Sequence, residues 1–331
     1  MDLHSQPVGQ LFIDPSSNRS REVFAAKPRG MTDKLTTVSD AVARLVNDGD
    51  YLAIGGFGCC RIPTAVCHEI IRQRKQNLSF AGHTATHDFQ ILAAGNLTGR
   101  GKTLARVDIA YIIGLEARGL SPHGRRVIES GEVEITEWTN YALAVRLQAA
   151  AMGLPFLPTR TALGTDTLQR SAARVIECPF TGEKLVALPA LSPDVAAIHV
   201  HEADRFGNCR ISGTTVADLE LARAAKRLII TCERLVPVEE IRRDPNRTVI
   251  PFFCVDAVCE VPFGSYPGNM PGEYFSDEEH LRLWLEMEKD PEAFRRFLDE
   301  HIFSVGDFGE YLQKCGGLPR MQELRRQELL L

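Results

Sequence analysis

The sequence predicts an α/β fold: a largely parallel sheet with helices on both faces and a helical C-terminus. Three observations carry that reading. Short apolar runs alternate with amphipathic stretches from about Leu35 onward. Loops opened by glycine stand where the apolar runs end, as in GGFG (55–58) and GHTATHDF (82–89). The stretch after about Ser276 is charged and repeats with a helical period.

In order, TTVSDAVARLVN puts Val38, Val42, Leu45 and Val46 on one helical stripe, with Thr37 or Ser39 to cap it. YLAIGGF reads as a buried strand. RIPTAVCHEIIRQ is the helix after it, with Pro63 in the first turn, where a missing N–H costs nothing. Strands follow at 77–81, at VDIAYII (107–113) and at GEVEITEW. TNYALAVRLQAAAMG is a helix capped by Thr139 and closed by Gly153. EKLVALPAL and DVAAIHVHEAD are strands, TTVADLELARAAK a helix, and RLIITCERL and CVDAVCEVPF strands. Turn formers cluster over 155–173, where the border of any second lobe would fall. Residues 1–30 have no clear period and many turn formers, and are expected to form a flexible extension. The main domain is expected over 31–315, with a helical tail at 316–331 whose closing leucines suit a partner.

The totals exclude several classes. With 331 residues the chain can build one large α/β unit or two domains. The net charge of −5 is spread along the chain, so no basic face suggests nucleic acid. No apolar run reaches eighteen residues, which argues against a membrane span, and no secretory signal is recognised at the start. The nine cysteines are odd in number and lack paired spacing, which fits reduced thiols in a cytoplasm. Cys254 and Cys259 read as buried packing residues. There is no CxxC motif, and no spacing suited to zinc. His199 and His201 share a strand face without a third ligand nearby in sequence, so no metal site is expected.

GGFGCCRIP (55–63) is the most informative stretch. In a parallel sheet, ligands bind beyond the carboxyl ends of the strands. Gly55, Gly56 and Gly58 let the main chain approach a ligand closely, and the following helix offers free N–H groups. Arg61 adds a guanidinium fork suited to a carboxylate. The plainer alternative is a tight turn with Arg61 in solvent. A dinucleotide GxGxxG would need glycine where Cys60 or Arg61 stands, and no GK[ST] follows. Cys59 and Cys60 read as packing residues or, for one of them, as a thiolate at a helix start.

DGDYLAIGGFGCCRIP (48–63) resembles the first signature of the family I coenzyme A transferases, through Asp48, Gly49, Gly55, Gly56, Phe57 and Pro63. Arg61 departs from the glycine of many members and is similar to the α-subunit branch. The likeness continues through AAAMGLPFLPT (149–159), TCERLVPVEEIRRDP (231–245) and CVDAVCEVPFGSYPG (254–268). The resemblance implies the CoA-transferase or sugar-isomerase-like superfold. It also implies a glutamate nucleophile that passes through a glutamyl-CoA thioester, with coenzyme A as substrate and no permanently bound cofactor. That glutamate belongs to a Ser-Glu-Asn-Gly-like element, which this sequence lacks; Glu129 in VIESGEVE is a poor substitute. The chain is therefore expected to be an α subunit without a catalytic residue of its own, completed by a β subunit in an α2β2 or α4β4 assembly. The expected pocket is Gly55, Gly56, Phe57, Gly58, Arg61, Gly82, His83, Thr84 and Ser121. The acyl group is expected to be short or dicarboxylic, and Arg61 favours the dicarboxylic. His83 and His87 read as packed or solvated residues, gaining interest only in a hydrolase. Ser121 is either a helix cap or a hydroxyl donor to substrate, and Glu116 and His123 share its loop. A ring-opening hydrolase and a glutaconyl-type decarboxylase share the architecture; a non-catalytic binding subunit is the alternative of another class.

Overall fold

The computed structural model describes residues 6–28, 30–98, 101–111 and 118–330. Its strands are β1 (Tyr51–Ile54), β2 (Leu78–Gly82), β3 (Leu104–Ile109), β4 (Glu134–Glu137), β5 (Phe156–Thr159), β6 (Arg174–Glu177), β7 (Lys184–Pro189), β8 (Val195–Ala203), β9 (Cys209–Arg210), β10 (Arg227–Leu235) and β11 (Ala257–Glu260). Seven of them form one parallel sheet in the order β11-β10-β8-β1-β2-β3-β4, and β9 turns back antiparallel onto β8. The chain winds outward from β1 to β4, then returns to start again at β8 on the other side of β1. The β1–β8 junction is thus the switch point where a parallel sheet leaves a crevice.

Burial on both faces explains the continuous apolar runs. In β1, Leu52 and Ile54 join one core cluster and Tyr51 and Ala53 the other. The first core takes helices Val38–Leu45, Thr64–Arg72 and His87–Ala94 together with Trp284, Phe294 and Phe297 from the C-terminal helices. The second takes helices Asn140–Ala151 and Asp218–Ala224. The capping expectations hold in atomic detail. Thr37 Oγ1 accepts from Asp40 N at 3.1 Å, and Thr139 Oγ1 from Ala142 N at 3.0 Å.

Three expectations need correction. EKLVALPAL does not enter the parallel sheet: β7 is the centre of a separate antiparallel sheet, β5-β7-β6. FLPT and RVIE flank it as strands too short to show a period. The N-terminal extension, where described, is folded onto the body. The Gln6 amide bonds both backbone groups of Val175, at 3.1 Å each. Ser17–Ala26 is a helix, and Lys27 Nζ reaches Asp256 at 2.8 Å. These are point contacts with partners far away in sequence, so no apolar period announces them. Finally, CVDAVCEVPF (254–263) is a strand only over Ala257–Glu260, and its first residue ends a short helical turn, Phe252–Cys254. The end of VDIAYII and Glu116 lie outside the described residues.

Candidate active site

β1 ends at Gly55 and Gly56 beside β8, and β2 ends at Gly82 beside β1. The turn after β1 is tight: Phe57 N bonds Cys60 O, and Cys60 N bonds Phe57 O, both at 2.9 Å. Gly56 at φ 86° and Gly58 at φ 62° take the left-handed backbone it requires. The turn is tied to its neighbours on two sides. Gly58 N donates to Thr84 O at 3.0 Å, and Arg61 N to Asn269 O at 2.9 Å.

The glycines answer to an internal carboxylate. A Cβ on Gly55 would stand 2.7 Å from Asp218 Oδ1 and 3.0 Å from Ile198 Cγ1. Asp218 Oδ1 accepts from Gly56 N at 2.9 Å, while its Oδ2 takes Arg61 Nη1 at 2.5 Å. Arg61 Nη2 donates to Thr214 O at 2.6 Å. Arg61 is 0% exposed and Asp218 2%. This corrects the sequence expectation for Arg61: its guanidinium neither faces solvent nor stands ready for a substrate carboxylate, because Asp218 already fills that role. The crevice beneath the turn, lined by Gly55, Gly56, Gly82, His83 and Asp218 among others, has ≈ 10 Å³ of space, about one water's worth.

The next strand end repeats the arrangement without a cation. A Cβ on Gly82 would lie 2.7 Å from Asp88 Oδ2. Asp88 Oδ1 accepts from Thr86 N at 2.7 Å, and burial pushes its carboxyl up to about 7. Thr84, between them, is a β-branched residue at φ 56°, a conformation costing ~1–3 kcal/mol. Asn140 Nδ2 holds its Oγ1 at 2.7 Å. His83 packs on Phe57 with ring centroids 5.5 Å apart; its Nδ1 is buried without a partner, and burial lowers its pKa. His87 is buried against Trp284, 4.7 Å between centroids, and burial takes it down to about 3, so it is neutral at physiological pH.

The structure therefore brings together Gly55, Gly56, Phe57, Gly58, Gly82, His83 and Thr84 and leaves Ser121 apart. Ser121 is 0% exposed; its Oγ accepts from Gly124 N at 2.9 Å as a helix cap and donates to Glu288 Oε2 at 2.5 Å. Of its two readings the cap is the one observed. Burial pushes the Glu288 carboxyl up to about 7, although it also accepts from Trp284 Nε1 at 2.8 Å. His123 is likewise packed, with Nε2 3.1 Å from Ala93 O. His199 lies between Thr231 and Glu233, and His201 between Pro271 O and Ser212 N. Burial raises the pKa of both Cys59 and Cys60, against the thiolate reading.

Sequence reasoning missed Arg118. Its Nε and Nη2 form a bidentate pair with Glu278, at 2.8 and 2.6 Å. Its Nη1 lies 3.3 Å from Cys59 Sγ, on the glycine turn itself. The side chains of Arg118 and Glu278 are 15% and 31% exposed. Large apolar side chains on these segments are exposed. Phe57 is 42% exposed, Leu120 53% and Tyr141 58%. Leu120 follows Arg118 by two residues, and Tyr141 follows the Asn140 that holds Thr84.

A doubly covered parallel sheet with a glycine turn at its switch point, backed by a second loop from the neighbouring strand, defines a doubly wound α/β protein. The chain belongs to the coenzyme A transferase family, whose profile matches residues 35–261. It is 35% identical over 300 residues to the A subunit of glutaconate CoA-transferase from Acidaminococcus fermentans, covering 86% of this chain and 92% of that protein. It is 37% identical over 285 residues to the A subunit of 3-oxoadipate CoA-transferase from Pseudomonas knackmussii, covering 85% and 98%. The crystal structure of the Acidaminococcus glutaconate coenzyme A-transferase matches with a TM-score of 0.83 at 33% identity, over 88% of this chain and 95% of that one. That of the decarboxylase AibA/AibB matches with 0.71 at 32% identity, over 81% and 97%. Among the described residues, no helix is long and apolar enough to cross a membrane.

Proposed function

We propose that this chain is the α subunit of a cytoplasmic CoA-transferase, moving coenzyme A between short or dicarboxylic acids. The observation that carries the reading is the Gly55–Gly58 turn at the switch point, in a chain matching proteins named as A subunits over nearly their whole length. In this reading the main chain of Gly55, Gly56, Gly58 and Gly82, with Phe57, His83 and Thr84, forms one wall of the acyl pocket. The two carboxylates nearest that wall, Asp218 and Asp88, are 2% and 3% exposed and engaged by backbone N–H groups, so neither suits nucleophilic attack. Glu129 pairs with Arg125 at 2.7 Å on the helix surface. A partner β subunit supplies the glutamate that attacks the thioester carbonyl, and coenzyme A then opens the resulting anhydride to give glutamyl-CoA. The exposed Phe57, Leu120 and Tyr141 suit coverage by that partner, in an α2β2 or α4β4 assembly.

The test is to assay the purified chain alone and with its co-expressed partner, then trap the intermediate with borohydride or hydroxylamine. The chain alone is expected to be inert, with the label on a partner glutamate. Robust turnover by the isolated chain, or label on one of its own glutamates, sinks the proposal. The likeness to AibA/AibB supports decarboxylation as a second reading, which predicts loss of CO2 from an acidic acyl-CoA and no glutamyl label.

A further inference from the structure

With Arg61 committed to Asp218, the acidic end of a substrate needs another cation. We propose that Arg118 receives the distal carboxylate of a dicarboxylic acyl group, at the place that Glu278 holds in this structure. The proposal rests on the acyl pocket lying at the glycine turn, and it gives that pocket a substrate class and an internal competitor.

Three features carry it. Arg118 touches the turn directly, through Nη1 and Cys59 Sγ at 3.3 Å. Its other two nitrogens meet a carboxylate in the parallel two-bond geometry that a substrate carboxylate would adopt. The pair is reachable, in contrast to Arg61 and Asp218, whose side chains are 0% and 2% exposed. Exchanging one carboxylate for another on a partly exposed guanidinium conserves both hydrogen bonds, so the barrier to exchange is the local concentration of the tethered Glu278. Ser276 Oγ donates to Glu278 Oε1 at 2.5 Å and would stay with Glu278 when it swings away, keeping it partly satisfied.

This predicts opposite effects from the two halves of one ion pair, which a purely structural bridge would not give. The first measurement uses the purified chain and reads the thermal shift produced by glutarate, with butyrate as the monocarboxylate control. Glutarate is expected to raise the Tm of wild type. It should act at several-fold lower concentration on Glu278→Gln, where the competitor is gone, and lose its effect on Arg118→Gln, with partial return in Arg118→Lys. Butyrate should leave all four unchanged. An unaltered glutarate response in Arg118→Gln overturns the assignment, as does absence of any glutarate response in wild type or a weaker response in Glu278→Gln. The second measurement repeats the series in the assembled enzyme, using acetyl-CoA as donor. Failure of transfer to every acid there defeats the transferase reading and leaves the binding result standing. A KM that rises in Arg118→Gln equally for glutarate and butyrate defeats Arg118 as the specificity residue.

Discussion

At the end of β1, Asp218 closes on Gly56 N and holds the Arg61 guanidinium; at the end of β2, Asp88 closes on Thr86 N and, among the described residues, has no comparable guanidinium bonded to it. Both carboxylates are buried, and both use a glycine's missing Cβ to come within 2.7 Å of where that atom would be. The first carboxylate is paired with a buried guanidinium. The second has no such pair among the described residues, and burial takes its carboxyl up to about 7. The difference separates a strand end closed by an ion pair from one whose protonation changes near neutrality.

The largest effect is expected from Arg61→Ala. It strands Asp218 as a buried unpaired charge, and urea denaturation should show a loss of ~3–5 kcal/mol. The double variant Arg61→Met with Asp218→Asn should recover much of this; a single-variant loss below ~1 kcal/mol would break the comparison. Next comes Gly55→Ala, whose methyl group meets Asp218 and Ile198 and should cost ~1–3 kcal/mol, measurable as a lowered Tm. Gly82→Ala should fall in the same range, and a neutral result at either position would show that the aspartate can withdraw.

The smallest effect belongs to Asp88→Asn, which keeps the Thr86 bond and removes the titration. Its sign depends on pH. The native carboxyl holds its proton up to about 7, above the ordinary aspartate value of 3.8, so the folded state binds more protons across that window. Stability from this group is present at the acid end and falls as pH rises toward 7. The Tm of the variant relative to wild type should therefore climb between about pH 6 and about pH 7 by the equivalent of ~1 kcal/mol. A flat difference across that range would mean that Asp88 is ionised throughout.

The glycine turn, the succession of strands and helices in the first half and most helix starts were legible because they are local. Four apolar residues before Gly-Gly, or Thr-Asn before a periodic run, announce themselves within one window. What was not legible is long-range. Arg61 and Asp218 lie 157 residues apart, and Asp218 shows only as an acid inside the apolar run VADLELA. Arg118 and Glu278 lie 160 apart, and Glu278 sits in an acidic run that reads as solvated surface. The arginine chosen from sequence sat on the right turn, but its left-handed φ of 57° goes with a side chain buried against Asp218. β5 and β6 were missed because four residues at a sheet edge carry too little pattern.

The helix Glu278–Met287 grips the 118–123 segment at both ends, with Glu278 on Arg118 and the adjoining Glu288 on Ser121. It acts as a splint fastened across a single loop, and it lies beyond residue 261, where the family profile stops. A fragment ending there would retain every described strand and yet leave that loop unbraced. Relatives sharing one sheet could thus re-aim the rim of their pockets by altering only their C-terminal helices.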